Sequence, residues 1–321
     1  MTNDEAFPPP ADQNDNTSST VDDIKETAPQ RAPTKTPLWE AIHADRYQRQ
    51  DMIRTIEARH GHQLICFVSG DDCLIDRADA VPFVDLLHNV DPSRPLDLLL
   101  HTGGGDIDAA EKLITMVRTH LGKSRLRIVV PDFAKSAGTL MVLGADAVVM
   151  SDTSELGAID PQVFIPDGNG HHAARPIQSY LDAYEKHTAA LKKEPGNVAA
   201  QIMLGQLDPA MIERFYKVKE RARKFAENQL KQGMFFHTNG NWSRTVSELL
   251  DTTRWQSHSQ MISWQDAKDE KTLGLTVEYL KPSCDEWQEY WVLYCHQRLA
   301  IGDRQKLFES NFVCLKIDSP I

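Results

Sequence analysis

Short apolar runs and longer periodic stretches alternate along the first half of the chain. Apolar runs occupy residues 64–69, 96–101 and 126–131, and residues 77–90 and 106–121 between them carry apolar side chains at helical spacing. Short apolar runs predict buried strands, and the periodic stretches predict helices that cover the sheet. The alternation therefore predicts βαβ units around a parallel sheet, that is, an α/β fold.

The pattern continues through residue 151 and then changes. A helix is predicted over 136–144 and a strand over 147–151. The stretch 167–170, Asp-Gly-Asn-Gly, is typical of a loop. Beyond it, residues 176–193 and 209–232 predict long helices.

The two ends of the chain differ from this core. Residues 1–36 are rich in Pro, Asp, Asn, Ser and Thr and poor in aromatic residues, so they cannot offset the entropy of ordering and predict a disordered tail. Residues 38–60 predict an amphipathic helix at the start of a domain over 37–285. Residues 286–321 are assigned to a C-terminal extension, and the pattern from about residue 241 onward is mixed.

Composition narrows the functional classes. The 321 residues are 41% hydrophobic, which suffices for a sizeable core, and the net charge of -11 disfavours binding to nucleic-acid phosphates. The apolar runs are much shorter than the roughly 20 residues of a membrane-spanning helix. Because the N-terminus lacks the basic and apolar segments of a secretory signal, we expect a cytoplasmic protein.

No metal or cofactor is predicted. The five cysteines lack the close paired spacing of a disulfide framework or a zinc ribbon. His60, His62 and the pair His171-His172 have no third ligand at a recognisable spacing. Position 108 is Asp where a dinucleotide fingerprint would need its third glycine, so a dinucleotide site is also disfavoured.

The first candidate for chemistry is a glycine-rich turn between a strand and a helix. Gly103, Gly104 and Gly105 follow the run 96–101 and precede the helix that starts near Asp106. In a parallel sheet, ligands collect beyond the carboxyl ends of the strands. Consecutive glycines let backbone N–H groups approach a ligand closely, which suits a developing oxyanion. A tight turn without a ligand is the alternative interpretation.

The second candidate is the next strand-to-helix junction. Ser136 lies between small residues in Ala-Lys-Ser-Ala-Gly, residues 134–138, at the predicted start of a helix. Its hydroxyl can face outward as in a nucleophile elbow, and the N–H of Ala137 can point at the attacked oxygen. Taken alone, Ser136 is better explained as a helix N-cap, a position that favours serine because its hydroxyl can accept a backbone hydrogen bond. Together, however, the two junctions supply both halves of an acyl-transfer site.

Three motifs resemble one known superfamily. They are His-Thr-Gly-Gly-Gly at 101–105, Ala-Lys-Ser-Ala-Gly at 134–138 and Ser-Glu-Leu-Gly-Ala-Ile-Asp-Pro-Gln at 154–162. With them, residues 64–280 resemble the Clp protease and crotonase-like superfamily, and within it the serine dehydrogenase proteinase family, related to signal peptide peptidase A. The resemblance implies a spiral of ββα units with added C-terminal helices, polypeptide substrates and a homo-oligomer.

The same resemblance implies roles for individual residues. Ser136 would form the acyl-enzyme, and an oxyanion hole would be built from Gly104, Gly105 and Ala137. The Clp-type histidine is missing, since residues 159–162 read Ile-Asp-Pro-Gln. In the signal peptide peptidase relatives a lysine on the following helix serves as the base, and Lys186 is at the comparable distance. Other candidates for activating Ser136 remain open: Asp160, His171, His172 and His187.

The sequence therefore predicts a serine peptidase that hydrolyses peptide bonds through Ser136, with Lys186 as the general base. Two alternatives remain. An acyl-CoA-processing crotonase relative would use the same oxyanion geometry without the serine, and a non-catalytic oligomeric scaffold would need neither Ser136 nor Lys186. An α/β-hydrolase esterase is disfavoured because the serine turn lacks the first glycine of that elbow.

Overall fold

The computed structural model describes residues 35–166, 172–236 and 240–319 of the chain. The predicted disordered tail lies outside the described residues except for Lys35 and Thr36, and so does the predicted loop 167–170. The helices are α1 (Pro37–Ile42), α2 (Ala44–His60), α3 (Ala80–His88), α4 (Ile107–Leu121), α5 (Ala137–Leu143), α6 (Ile177–Lys193), α7 (Val198–Gly205), α8 (Pro209–Gln232), α9 (Trp242–Leu249), α10 (Trp264–Lys268) and α11 (Asp285–Leu299). The strands are β1 (Gln63–Ser69), β2 (Leu96–His101), β3 (Leu126–Val129), β4 (Phe133–Ala134), β5 (Ala147–Met150), β6 (Glu155–Leu156), β7 (Gln162–Pro166), β8 (His172–Pro176), β9 (Val277–Tyr279), β10 (Gln305–Ser310) and β11 (Cys314–Asp318).

A seven-stranded sheet in the order β11-β10-β1-β2-β3-β5-β9 forms the centre. The five strands from β1 to β9 run parallel, whereas β10 is antiparallel to β1 and β11 is antiparallel to β10. The predicted alternation of strands and helices is confirmed. The carboxyl ends of β2 and β3 therefore lie at the same edge, where both candidate junctions begin.

Burial on both faces explains why the strands read as continuous apolar runs. Along β2, Leu98 and Leu100 pack with the cluster that includes α4 and α5, whereas Leu99 packs on the opposite face. That opposite face is covered by α2 and α11 through side chains such as Ile53 and Trp287. Because successive side chains of a strand alternate between faces, a sheet covered on both sides needs an apolar residue at nearly every position.

The helix predicted over residues 38–60 is two helices. The chain divides into a unit that ends at Ile42 and a unit that begins at His43, and each contains one of the two helices. At His43 the backbone leaves the helical region, with φ -108° and ψ 17°. The continuous helix was therefore a wrong prediction, because apolar spacing does not reveal a local change of backbone angle.

The long helices predicted after residue 176 are confirmed as α6 and α8. They form a small apolar cluster of their own through Ile177, Leu181, Ile212 and Phe215. Beyond them, β9 and β10 join opposite sides of the parallel sheet. The domain boundary proposed at residue 285 remains a prediction, although β10 pairs directly with β1.

Candidate active site

The glycine turn and the serine turn are held together by backbone hydrogen bonds. The N–H of Thr102, just after β2, donates to the Phe133 carbonyl at 3.0 Å. The N–H of Lys135 donates in return to the Thr102 carbonyl at 3.0 Å. These two bonds join the segment after β2 to the segment around β4, beyond the main sheet. They therefore bring the glycine turn and the serine turn next to each other.

Gly104 lies directly against Ser136. Its φ is +105°, and a Cβ added at this position would lie 2.7 Å from Ser136 Cβ and 3.2 Å from the nitrogen of Ala137. Only glycine fits there, because 2.7 Å is shorter than real Cβ contacts and the backbone angle is one that L side chains rarely adopt. The two turns predicted to converge are thus in contact.

Gly105 fixes the other side of the turn. Its φ is +146°, and a Cβ there would lie 2.4 Å from the backbone of Ile75. The Ile75 N–H donates to the Gly104 carbonyl at 2.7 Å, and the Asp106 N–H donates to the Ile75 carbonyl at 2.9 Å. The glycine turn is therefore clamped between Ile75 and Ser136.

Ser136 has an unusual backbone. Its φ of 51° makes it the sole non-glycine residue with positive φ in the described part of the chain. Ser136 occupies the N-cap position of α5, yet its side chain makes no capping hydrogen bond. A positive φ at a serine costs roughly 1–3 kcal/mol, and such strain clusters at functional sites. The hydroxyl is therefore not committed to the capping role that the sequence also allowed.

The third motif packs against the helix that follows Ser136. β6 pairs in parallel with β4, with Ala134 opposite Leu156. The N–H of Gly157 then donates to the Thr139 hydroxyl at 3.0 Å, and that hydroxyl donates to the Ala134 carbonyl at 2.7 Å. Residues 155–157 are thereby fixed beside the serine turn.

The buried Asp160 at the end of this motif is paired with the partly exposed His258. Nδ1 of His258 donates to Asp160 Oδ1 at 2.7 Å, and Nε2 of Gln162 donates to Asp160 Oδ2 at 2.6 Å. Asp160 is only 4% exposed, whereas the His258 side chain is 26% exposed. A buried carboxylate that holds Nδ1 of an imidazole leaves Nε2 available for proton transfer, as in serine hydrolases.

Comparison with known proteins identifies the family. Residues 39–283 match the model of a protein family described as ClpP-like SDH-type serine proteinase. The chain belongs to this family. The chain has the Clp protease-like α/β fold that the sequence motifs implied, and family membership supports a serine peptidase.

Two curated relatives of this chain are uncharacterized proteins of Methanocaldococcus jannaschii. MJ0137 is 28% identical over 185 residues, which cover 58% of this chain and 54% of the relative. MJ1495 is 25% identical over 220 residues, covering 64% of this chain and 70% of the relative. The match thus spans about half the length of MJ0137. Among solved structures, ClpP1 from Listeria monocytogenes aligns with TM-score 0.38 and 10% identity, over 71% of this chain and 94% of that chain.

The candidate bases predicted from the sequence lie in different places. Lys186 is exposed on α6, and His187 is half-buried on the same helix. His171 and the side chain of His172 lie outside the described residues. Sequence reasoning left Asp160 unranked and did not consider His258 as a base. The two residues are 98 positions apart, and nothing local to His258 signals its aspartate partner.

His101, the last residue of β2, is a buried histidine below the glycine turn. His101 is 1% exposed, its ring contacts that of Phe133, and burial lowers its pKa to about 3. The Tyr294 hydroxyl lies 3.3 Å from His101 Nδ1 and donates to Asp132 Oδ2 at 2.9 Å. Burial raises the pKa of Asp132, against the effect of the hydrogen bond from Tyr294. His101 is therefore neutral at physiological pH and acts as packing for the β4 segment.

Two further observations concern the described residues alone. In residues 35–166, 172–236 and 240–319, no group of three or more His, Cys, Asp or Glu side chains could hold a metal ion. In the same ranges, no helix combines the length and apolar character needed to cross a membrane.

Proposed function

We propose that this chain is a serine peptidase that cleaves peptide bonds through an acyl-enzyme on Ser136. The contact between Gly104 and Ser136 carries the proposal, because it supplies a nucleophile and close backbone donors in one place. The positive φ and uncapped hydroxyl of Ser136 support the same role. Membership of a serine proteinase family makes the peptide bond the natural substrate class.

The backbone N–H groups of Gly104, Gly105 and Ala137 are proposed to hold the oxyanion. The Gly104 N–H donates to the Thr102 hydroxyl at 3.2 Å and would exchange this partner for the oxyanion. Support comes from the 3.2 Å between the Ala137 nitrogen and the position of a Cβ on Gly104. The Gly104 carbonyl is bound by the Ile75 N–H, which removes this acceptor from competition with an oxyanion. Loss of one such donor typically costs about 2.7–4 kcal/mol of transition-state stabilisation.

We propose His258, oriented by Asp160, as the general base, with Lys186 as the alternative. His258 Nε2 would take the proton from Ser136 Oγ as that oxygen attacks the peptide carbonyl, and would then deliver the proton to the leaving amine. The buried Asp160 carboxylate fixes the ring and stabilises the imidazolium. Lys186 is exposed, and a lysine becomes a base at neutral pH only when its ammonium is desolvated. In that case Lys186 would need to be covered when substrate or another subunit binds.

The substrate and assembly remain proposals. We propose polypeptide substrates and a homo-oligomer in the cytoplasm, without nucleic acid or a cofactor. The apolar side chains of Val198, Ile202 and Met203 on α7 are 63%, 59% and 48% exposed, which supports association through this helix. Sedimentation velocity would then report a mass that is a multiple of the 36.2 kDa chain.

Hydrolysis of a fluorescent casein substrate by the full-length chain tests the proposal. Wild type should release peptides at a rate that increases with enzyme concentration, and Ser136→Ala should abolish release because the nucleophile is lost. The variant removes a single oxygen from a half-buried position, so its thermal unfolding should match wild type. Equal proteolysis by wild type and Ser136→Ala would exclude Ser136 as the nucleophile.

A further inference from the structure

The side chain of Lys135 joins three segments of the proposed site. Its ammonium donates to the Glu155 carboxylate, to the Leu156 carbonyl at 3.1 Å and to the Ser259 carbonyl at 3.4 Å. Glu155 and Leu156 form β6, and Ser259 is the neighbour of His258 in the chain. Lys135 itself precedes Ser136. One side chain therefore connects the segments that carry the proposed nucleophile Ser136, the aspartate Asp160 and the proposed base His258.

The backbone of Lys135 is fixed as firmly as its ammonium. Its N–H donates to the Thr102 carbonyl at 3.0 Å, and its carbonyl accepts from the Gly138 N–H at 2.7 Å. The carbonyl also lies 2.8 Å from the position of a Cβ on Gly104. The backbone of Lys135 is therefore held against the glycine turn, and its ammonium is held at the loop that contains His258.

The stem of Lys135 is packed against Gly157. A Cβ added to Gly157 would lie 2.8 Å from Lys135 Cδ and 3.3 Å from Lys135 Cα. The side chain of Lys135 is 12% exposed. Because Gly157 has no side chain, the stem of Lys135 can pass beside it to reach β6 and Ser259. The close packing along the stem restricts the movement of the ammonium.

The hydrogen bonds exclude Lys135 from the role of base in this arrangement. A protonated lysine has three N–H donors and no acceptor. All three donors of the ammonium are engaged by oxygens of Glu155, Leu156 and Ser259.

We propose that Lys135 is a positioning residue that holds the loop of His258 in register with Ser136. The inference rests on the proposed function of Ser136 and His258. Its physical basis is that a base must lie within hydrogen-bonding reach of the nucleophile, and that a displacement of about 1 Å can cost on the order of 10²-fold in rate. Lys135 directly precedes Ser136 in the chain, and its ammonium binds the carbonyl of Ser259, which follows His258. This hydrogen bond restricts movement of the His258 loop relative to Ser136.

The rate of labelling by a fluorophosphonate tests the proposal in the full chain. Inactivation kinetics separate binding of the reagent (KI) from the covalent step (kinact). Lys135→Met keeps the length of the stem and loses the three donors. We expect kinact to fall by about 10- to 100-fold, with KI, the labelled fraction at completion and the thermal midpoint unchanged.

Three further variants define the specificity of the effect. Lys112→Met removes an exposed lysine of α4 and should label at the wild-type rate. Glu155→Gln keeps an oxygen acceptor for the ammonium and should retain most of kinact, whereas Glu155→Ala should lower it. If Lys135→Met fails to fold, the Glu155 pair decides the same question, since the Glu155 side chain is 32% exposed.

Each outcome has a separate meaning. A wild-type kinact in Lys135→Met, or a smaller labelled fraction with unchanged kinact, would overturn the positioning role. Equal kinact in Glu155→Gln and Glu155→Ala would overturn it when Lys135→Met cannot be tested. Absence of labelling in wild type would instead remove the proposed function on which the inference rests.

Discussion

Gly103 and Gly104 are neighbours in one turn, but only Gly104 is crowded. We predict that Gly104→Ala lowers proteolysis by about 10²-fold or more, because a Cβ there would displace Ser136 and the Ala137 N–H from their places. A Cβ at Gly103 meets nothing within 4 Å, so Gly103→Ala is the matched control and should keep most of the activity. Steady-state casein hydrolysis by the two variants measures the difference. Equal activities would show that the turn is not part of the site.

The identity of the base is a second question at the level of single residues. We predict that His258→Ala lowers kcat/KM by about 10³-fold or more, and that Asp160→Asn has a similar direction with a smaller effect, because the imidazole loses its orientation. Lys186→Ala should leave kcat/KM within a factor of about 3, as expected for an exposed, solvated lysine. Peptide hydrolysis at fixed pH provides the measurement. A large loss in Lys186→Ala with normal activity in His258→Ala would assign the role to the lysine.

His101 predicts a pH dependence of stability. Burial, together with the positive charge of Arg298, lowers the pKa of His101 from 6.5 to about 3. Between these two values the unfolded chain binds a proton at this residue and the native protein does not. The free energy of unfolding therefore falls as the pH decreases through this window, with a slope of up to about 1.4 kcal/mol per pH unit from this residue.

A comparison of wild type with His101→Gln isolates that contribution. Urea denaturation at several pH values between about 6.5 and 4 should show a weaker loss of stability in the variant, because glutamine does not titrate. Other titrating groups are common to the two proteins and cancel in the difference. Parallel stability curves would mean that His101 is protonated in the native state.

The sequence revealed those site residues whose partners are close in the chain. The glycine turn and Ser136 appear as contiguous motifs at strand ends, and strand order alone predicts that neighbouring junctions meet. The pair of Asp160 with His258 could not be predicted in this way. Its two residues come from separate loops, and only the folded chain brings them together. The positive φ of Ser136 is likewise a property of the backbone that residue types do not specify.

At the level of elements, β10 is a buried strand that cannot be recognised from hydropathy because two of its buried residues are charged. Its sequence, Gln-Lys-Leu-Phe-Glu-Ser, lacks the apolar run that identified β1 and β2, yet Lys306 and Glu309 are buried. Lys306 donates to Asp79 at 2.8 Å, and Glu309 accepts from Arg49 at 2.9 Å. Each charge is compensated by a partner from another element, so the hydropathy of the segment does not predict its burial.

Lys306 provides a test of this element. Loss of the ammonium in Lys306→Met leaves Asp79 as an uncompensated buried carboxylate, and burial already raises the pKa of Asp79 against the effect of Lys306. We predict that the free energy of unfolding decreases by about 3–5 kcal/mol, measured by urea denaturation. Lys306→Met combined with Asp79→Asn should recover part of the loss. A decrease below about 1 kcal/mol would show that the pair does not hold β10 to the turn before α3.

At the scale of the whole molecule, the doubly covered sheet sets the position of the site. Strands β1, β2, β3 and β5 were predicted to within two residues because burial on both faces leaves a continuous apolar signal. That frame fixes the edge at which the glycine and serine turns end. Family membership supports the proposed class of enzyme, a serine peptidase, and the contacts around Ser136 support the residues that we propose to act.

The central claim is that the glycine turn and the serine turn build one acyl-transfer site around Ser136. Peptide mapping by tandem mass spectrometry after reaction of the native chain with a fluorophosphonate tests it most directly. The account predicts a single phosphonyl adduct on Ser136, its absence in heat-denatured protein and its near loss in Gly104→Ala but not in Gly103→Ala. An adduct on another residue, or none on Ser136 in the folded protein, would contradict the account.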